Sequence, residues 1–559
     1  MSQPPNPVLL YHPDGYRVKR KDLKGRHSAG ESFLTAFLEH AGGPDVYALC
    51  LGEQGFDEFG QSVRASGRPL MARAVRRGDV DILRRQALLN LPYPGIADEA
   101  KIRSFLGDAS YALCGVTHTI SSREALDGVA GLLQVPVQPW DAVICTSRAV
   151  HDAVSRVLAS VENDLRARQG ATKFTRPMLP IIPLGVHGKR FTRKDADRAK
   201  WRKQLNIADD VTVVLFFGRL SVHAKAAPFQ LAQAAELAVA KSKRRLAILW
   251  CGWFNDDFQR RVFMETAKSM APSVPFYHVD GREEAARFSV WAAADIFCSL
   301  SDNIQESFGL TVIEALAAGL PVVASNWNGY REAIEDGVNG ILVDSYMPSG
   351  SLGDAAYRYV SGIDTYDRYI GAASQLCFVD LEQTAAALTR LAGDAALRTR
   401  LAEAAGKTVA DKFDWKAVMP RYQDLWREQI KKLSHARADK DPSSTSWQMY
   451  DPSYVFAGFP SHRLNDDSAL LRGPQFDRWS ELVKQPGIVV NPGVLAGRAQ
   501  FQQLHETFAD KRAHAVGEVI GSFKPEDAAA VARTLHWLIK VGLLALAANL
   551  KRGESSGDL

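Results

Sequence analysis

Residues 294–327, ADIFCSLSDNIQESFGLTVIEALAAGLPVVASNW, contain two short apolar runs separated by a helical pattern. The runs at 294–301 and 321–327 are continuously apolar rather than alternating, which is typical of strands buried on both faces. A helix between two such strands predicts a βαβ unit, because parallel neighbours need a long crossover connection.

Similar apolar runs recur along the chain in two series. The first series comprises residues 7–12, 45–51, 112–119, 142–147 and 178–186. The second series comprises residues 211–218, 245–253, 294–301, 321–327 and 340–343. A break near residues 189–203 separates the series, so we expect an α/β protein with two Rossmann-like, doubly wound parallel-sheet domains that face a cleft.

Length and composition restrict the classes of protein that fit. The 559 residues exceed what one hydrophobic core organises, so several domains are expected. The net charge of +5 is small for this length, which argues against bulk nucleic-acid binding and suits an anionic small ligand. The N-terminus lacks a secretory pattern, and the apolar stretch 535–550 is too short and polar to span a bilayer. We therefore expect a cytoplasmic protein, with peripheral contact at the inner membrane left open.

The segment Glu306–Glu314, ESFGLTVIE, joins the first strand of the opening unit to its helix. Gly309 lets a ligand approach the backbone, and free N–H groups at the helix start favour an anion or a sugar hydroxyl. A carboxylate that accepts two adjacent hydroxyls is a natural clamp for a ribose or a hexose. For a glutamate pair taken alone, the favoured interpretation is that Glu306 caps the helix and Glu314 lies on its solvated face. The flanking strand and GLPVVAS favour the ligand interpretation here.

A second motif, Phe217–Lys225, directly follows the apolar run 211–218. Open α/β sheets bind ligands at the carboxyl ends of their strands. Gly218 permits a sharp turn, and Arg219 and Lys225 can both reach one diphosphate. Two unconnected surface cations are the alternative, which the position at a strand end disfavours.

These two motifs resemble the retaining glycosyltransferases of family 4, which have the GT-B fold. ESFGLTVIEALAAGLPVVAS (306–325) matches that family's E-x7-E signature, and FFGRLSVHAK (216–225) matches its GR…K diphosphate motif. Weaker matches are the interdomain segment IIPLGVHGKRF (181–191), the histidine segment YALCGVTHTISS (111–122) and the closing helix FDWKAVMPRYQDLW (413–426). The resemblance covers most of residues 25–429.

The resemblance implies a role for each matching residue. Glu306 would contact the donor sugar, Glu314 the ribose, and His118 the transferred sugar. Arg219 and Lys225 would clamp the diphosphate. The other donor-binding positions would be Gly30 in the first loop, Gly218, Ser307, Phe308, Gly309 and Leu310. The spacing from Arg219 to Lys225 is one residue longer than usual, which makes His223 a candidate extra phosphate contact. A lone histidine such as His118 can also be a satisfied core residue.

The resemblance also implies the domain plan and the reaction. We expect an acceptor-side domain at 1–190, a nucleotide-sugar donor domain at 191–410, a closing helix at 411–434, a linker at 435–450 and a helical, winged-helix-like module at 451–559. Transfer would retain the anomeric configuration through front-side attack. The donor would carry UDP or GDP, and the acceptor (glycan, lipid, protein or small molecule) stays open.

We expect no cofactor and no required metal. Asp79-Val80-Asp81 spells D-x-D, but it precedes a helical stretch, so we interpret it as a capped helix start. The C-terminal module is expected to dock a protein or self-associate rather than to bind nucleic acid, because its cations are sparse and mixed with acids. Competing functions for the body are a non-catalytic nucleotide-sugar scaffold and a GT-B epimerase or phosphorylase.

Overall fold

We describe a computed structural model of the chain, covering residues 5–17, 25–50, 52–225, 227–438, 450–485 and 488–547. The chain divides into two compact units, residues 1–447 and 448–559. Each unit has its own hydrophobic core.

The first sheet of unit 1 has six parallel strands in the order β3-β2-β1-β4-β5-β6. The strands are β1 (Val8–Tyr11), β2 (Asp45–Cys50), β3 (Met71–Val75), β4 (Leu88–Asn90), β5 (Ala112–Val116) and β6 (Ala142–Ile144). The helices of this half are α1 (Pro13–Tyr16), α2 (Gly25–Glu39), α3 (Glu53–Ala65), α4 (Val80–Gln86), α5 (Ala97–Ser104), α6 (Arg123–Ala130) and α7 (Arg148–Gln169). The strand order reverses beside β1, as in a doubly wound fold.

The second sheet also has six parallel strands, in the order β12-β11-β10-β7-β8-β9. The strands are β7 (Thr212–Phe217), β8 (Leu246–Cys251), β9 (Phe276–Val279), β10 (Ile296–Ser299), β11 (Val322–Ser325) and β12 (Gly340–Val343). The helix α8 (Asp195–Gln204) precedes this sheet. The helices between its strands are α9 (Pro228–Ser242), α10 (Asp257–Met270), α11 (Glu284–Ser289), α12 (Leu310–Ala317) and α13 (Tyr330–Ala333).

After β12 come a two-stranded antiparallel ribbon and the last helices of unit 1. These elements are β13 (Ser345–Tyr346), α14 (Gly353–Val360), α15 (Tyr366–Gln375), β14 (Phe378–Val379), α16 (Leu381–Gly393), α17 (Ala395–Thr408) and α18 (Trp415–Ala438). The helix α18 returns to the first sheet domain, where Gln429 Nε2 donates to the carbonyl of Leu113 at 2.9 Å. The chain crosses between the sheet domains twice, side by side: Val186 N donates to Phe413 O at 2.8 Å, and Trp415 N to Val186 O at 3.1 Å.

The prediction of two doubly wound domains in a GT-B arrangement is confirmed by these sheets. Three strands were missed, namely β3, β4 and β9. The edge strand β3 has mostly exposed side chains and β4 has three residues, so neither produces a continuous apolar run. The run at 178–186 is not a ladder strand. Pro180 and Pro183 remove two donors there, and the run forms isolated bridges to Ala142, Cys145 and Asp414 instead of a ladder.

The helix α4 begins at the D-x-D sequence as expected, but Asp79 makes no side-chain hydrogen bond to that helix. Its Oδ2 instead accepts from the backbone N of Arg76 at 2.7 Å. The helix starts where expected, but the interpretation that the Asp79 carboxylate caps it is wrong.

Unit 2 combines short helices with a three-stranded antiparallel sheet. Its elements are α19 (Pro452–Val455), β15 (Ala469–Arg472), α20 (Trp479–Leu482), α21 (Arg498–Thr507), β16 (His514–Ala515), α22 (Val516–Gly521), α23 (Ala528–Lys540) and β17 (Leu544–Leu546). The strand β15 lies between the other two. Residues 439–449 of the expected linker lie outside the described residues, while 435–438 belong to α18. Within the described part of the chain, no helix is both long and apolar enough to cross a membrane.

Candidate active site

The loop after β10 and the start of α12 form one wall of the candidate site. Gly309 precedes α12 with φ +92°, a conformation that favours glycine. A Cβ at Gly309 would lie 2.2 Å from Cε1 of Tyr330, whose hydroxyl shares a 2.8 Å hydrogen bond with Ser299 Oγ. The backbone at the helix start is thus held against a buried ring, with the first N–H groups of α12 left free by helix geometry.

Glu306 and Lys225 meet at this wall. Lys225 Nζ lies 3.1 Å from Glu306 Oε2. Glu306 is buried at 8% exposure, whereas the lysine side chain is half-buried. Lys225 has φ +84°, which is strained for a residue with a side chain and is common at functional sites. The motifs after β7 and β10 therefore converge, as the adjacency of the two strands requires.

Arg219 extends from the same loop after β7. Its Nη2 donates to Gln305 Oε1 at 3.1 Å, so the cation is held by a neutral amide beside Glu306. Gly218, with φ +157°, precedes it at the end of β7. The two predicted phosphate-binding cations thus lie against consecutive residues, Gln305 and Glu306.

His118 approaches from the first sheet domain. Its carbonyl accepts a hydrogen bond from Ser307 Oγ, which joins the two domains across the cleft. Its Nδ1 is buried and has no hydrogen-bond partner among the described residues. Burial, helped by the charge of Arg26, lowers the pKa of His118 to about 4. The imidazole is neutral at physiological pH, and it is not a satisfied core histidine.

Glu314 lines a small pocket between the domains with Leu310, Arg190, Arg287 and Glu31. Burial raises the pKa of Glu314 to about 7, against the opposing effect of Arg287 and Arg190. Glu31 Oε2 lies 3.7 Å from Arg287 Nη1, an ion pair that spans the pocket. A carboxylate held among polar groups in such a pocket can accept hydrogen bonds from a hydroxylated ligand.

Phe308 contributes its backbone to the site rather than its ring. The ring is buried in the core of the second domain and lies 6.2 Å from that of Phe413, centroid to centroid. Gly329 packs on this backbone so closely that a Cβ there would lie 2.5 Å from Phe308 Cα. The loop is thereby fixed from behind.

Two predicted positions differ from expectation. Gly30 is inside α2 and not in a loop, so that expectation is wrong; a Cβ there would lie 1.8 Å from the carbonyl oxygen of Gly15. Close packing of two backbones accounts for this glycine. The His223 ring contacts Ser221 Oγ at 3.0 Å and Asp367 Oδ2 at 3.4 Å, and it lines a different cavity of about 880 Å³. Burial lowers the pKa of His223.

Sequence reasoning missed Asn328, which fixes Glu306 from behind. Asn328 Nδ2 donates to the carbonyl of Glu306, and its Oδ1 accepts from Ser147 Oγ at 3.1 Å. Asn328 has φ +45°, a conformation that asparagine tolerates better than most residues. The dipeptide Asn328-Gly329 is a turn signal, but its partner depends on the tertiary fold.

Two doubly wound sheets with a returning helix, and a site after β7 and β10 facing the first domain, define a protein of GT-B architecture. Residues 197–375 match the family model of the glycosyl transferases group 1. This segment, which contains Lys225 and Glu306, is thus similar to these enzymes.

Part of the chain is also similar in sequence to named glycosyltransferases. D-inositol 3-phosphate glycosyltransferase of Corynebacterium jeikeium (strain K411) is 30% identical over 218 residues, which cover 38% of this chain and 50% of the relative. The enzyme of the same name from Segniliparus rotundus is 33% identical over 172 residues, covering 30% and 36%. The matched part spans half or less of these relatives. The solved structure of Anabaena Alr3699/HepE in complex with UDP aligns with a TM-score of 0.49 and 16% identity, covering 77% of this chain and 100% of that one.

Proposed function

We propose that this chain is a glycosyltransferase that moves a hexose from a nucleoside-diphosphate sugar to an acceptor, with retention of anomeric configuration. The observation that carries the proposal is the 3.1 Å contact between Lys225 Nζ and Glu306 Oε2 at the start of α12. Arg219 lies beside this contact, and all three residues belong to the segment that matches the group 1 family model.

The proposed donor pose follows from charge. The diphosphate lies on Arg219, Lys225 and the N-terminus of α12, where positive charge stabilises the leaving group. The sugar hydroxyls bind Glu306, and the unpartnered Nδ1 of His118 supplies a further hydrogen bond from the opposite domain. The ribose hydroxyls bind Glu314 in its pocket.

The proposed chemistry needs positioning more than a covalent partner. The acceptor attacks from the face of the leaving group, and the departing phosphate takes its proton. The neutral His118 is suited to hydrogen bonding and not to acid catalysis, because its pKa is lowered to about 4. We propose no required metal, since the two cations supply the charge that a metal would supply.

The compartment and the acceptor are also proposals. Five buried free cysteines and one half-buried cysteine fit a reducing cytoplasm. UDP and GDP sugars are both candidates for the donor. The names of the relatives make inositol phosphate the first acceptor to test, although the acceptor-side half lies outside the matched family model.

The test measures nucleoside diphosphate released from UDP- and GDP-hexoses, with and without a panel of acceptors. Transfer predicts acceptor-dependent release, lost in Glu306→Gln. Binding without release would favour the scaffold alternative. Acceptor-independent sugar interconversion or phosphate-dependent turnover would favour the epimerase or the phosphorylase. The anomeric proton coupling of the product, measured by NMR, tests retention.

A further inference from the structure

The helices α14 and α15 form a hairpin that is inserted in the second sheet domain. Arg358 makes a bidentate ion pair with Asp364 in the turn between the two helices: Nε donates to Oδ2 at 2.7 Å, and Nη2 donates to Oδ1 at 3.0 Å. Arg368 lies 3.7 Å from the same carboxylate. The rings of Tyr359 and Tyr369 stack between the helices at 4.6 Å. The hairpin is therefore internally braced.

The hairpin touches the first sheet domain at the start of α6. Tyr359 OH accepts from the backbone N of Arg123 at 3.0 Å, and Arg123 Nη1 donates to Val360 O at 3.2 Å. The hydroxyls of Tyr366 and Ser121 share a hydrogen bond of 2.8 Å. An element of the donor-side domain is thus anchored on the acceptor side.

Tyr366 also reaches the candidate site. Its hydroxyl accepts from Gln305 Nε2 at 3.3 Å, and Gln305 Oε1 accepts from Arg219 Nη2 at 3.1 Å. The Gln305 backbone is fixed in turn, because its N donates to Asn303 Oδ1 at 2.8 Å. A continuous hydrogen-bonded chain therefore runs from Ser121 through Tyr366 and Gln305 to the guanidinium.

This chain has a chemical property that a carboxylate partner would lack. The amide and the hydroxyls are neutral, so they orient the guanidinium without cancelling its charge. A long arginine side chain loses rotamer freedom on binding, and prior orientation reduces that loss. Lys225, by contrast, is paired with the charged Glu306.

We propose that Tyr366 is a positioning residue, which acts through Gln305 to hold Arg219 ready for a diphosphate. This inference rests on the proposed function. It assigns the inserted hairpin a role in donor binding, and it makes that role depend on contact with Ser121 of the opposite domain.

The test measures binding of UDP and GDP by calorimetry to the full chain and to Tyr366→Phe, which keeps the ring and removes the hydroxyl. Loss of one neutral hydrogen bond predicts a Kd higher by about fivefold to tenfold. Tyr357→Phe, on the same hairpin but 69% exposed, is the matched control and is expected to bind like wild type. Ser121→Ala, which breaks the far end of the chain, is expected to shift Kd in the same direction by less.

A double variant distinguishes an effect of Tyr366 that acts through Arg219 from a general destabilisation of the fold. In an Arg219→Ala background, Tyr366→Phe is expected to have no further effect, because coupled residues are non-additive. Additive effects, or an unchanged Kd in Tyr366→Phe, would overturn the inference while leaving the proposed function intact. A wild-type chain that binds neither nucleotide would overturn both.

Discussion

At the residue scale, Glu306 and Lys225 form an ion pair, but their side chains differ in exposure to solvent. The carboxylate is almost fully buried, and the lysine is the more accessible partner. A partly desolvated pair like this is screened less by salt than a surface pair. In the proposed function, Lys225 turns from Glu306 to the arriving diphosphate, and Glu306 then accepts hydrogen bonds from the sugar hydroxyls.

Removing any one of the three central side chains should impair transfer without unfolding the protein. We expect Glu306→Ala, Lys225→Ala and Arg219→Ala each to lower kcat/KM by about 100-fold to 1000-fold, the range seen when a preorganised charge-stabilising group is lost. Lys243→Ala is the matched control, since Lys243 is an exposed lysine that also has positive φ, at +55°. Unchanged turnover in all three site variants, with intact thermal transitions, would contradict the assignment.

His118 predicts a pH dependence of stability. Its folded-state pKa of about 4 lies below the ordinary value of 6.5, so the unfolded chain binds more protons between these values. The contribution is fully present above pH 6.5 and is lost as pH falls towards 4, by roughly 3 kcal/mol at most. Urea unfolding across this range should show a shallower pH slope for His118→Gln than for wild type.

His435→Gln, which replaces an exposed histidine of α18, is the control for that experiment. The pH slope of this variant is expected to match that of wild type. Equal slopes for wild type and His118→Gln would show that His118 titrates normally in the folded protein.

The sequence predicts the residues that carry charge better than those that position them. That Glu306 and Lys225 come together follows from motif and strand-end position alone. The contacts of Gln305 and Asn328 do not, because their partners come from elements that only the tertiary fold brings together. The loop position expected for Gly30 is wrong, because a glycine in sequence does not distinguish a loop from a helix that packs closely on another backbone.

At the element scale, the start of α12 depends on one contact, between Gly309 and the Tyr330 ring. The ring fills the volume that a side chain at Gly309 would need, and Ser299 fixes the ring through its hydroxyl. The turn therefore presents backbone N–H groups in one orientation, which a phosphate or sugar site requires.

Gly309→Ala should destabilise the protein by about 3 kcal/mol or more, from backbone strain together with the clash against Tyr330. Gly337→Ala is the matched control: its φ is +74°, but nothing lies within 4 Å of the added Cβ, so strain of about 1 kcal/mol is expected. Chemical denaturation measures both. Equal losses in the two variants would mean that the Tyr330 contact does not restrain the turn.

Element prediction succeeds where strands are buried and fails where their side chains are partly exposed. The buried strands β8, β10 and β11, and the buried edge strand β6, are continuous apolar runs and were found. The edge strands β3 and β9 have partly exposed side chains, so their sequences carry less of the apolar signal and were missed. The buried strand β4 was missed although it lies inside the sheet, because it has only three residues.

At the scale of the whole molecule, the two sheet domains share the site while unit 2 has a separate core. Leu470, Leu504 and Leu535 are buried within unit 2 itself. Among the described residues, the buried core residues of unit 1 run from Val8 to Leu433. The catalytic proposal therefore depends on unit 1.

A fragment of residues 1–447 should fold and bind nucleoside diphosphate with the affinity of the full chain. Circular dichroism and calorimetry measure the two properties. A fragment that is folded but binds at least tenfold more weakly would show that residues 448–559 contribute to the donor site.

A crystal structure of the protein with a bound nucleoside diphosphate measures the central claim most directly. The account predicts phosphate oxygens within about 3 Å of Lys225 Nζ and of the Arg219 guanidinium, at the N-terminus of α12. A nucleotide bound elsewhere, with Lys225 still on Glu306 and Arg219 still on Gln305, would contradict it.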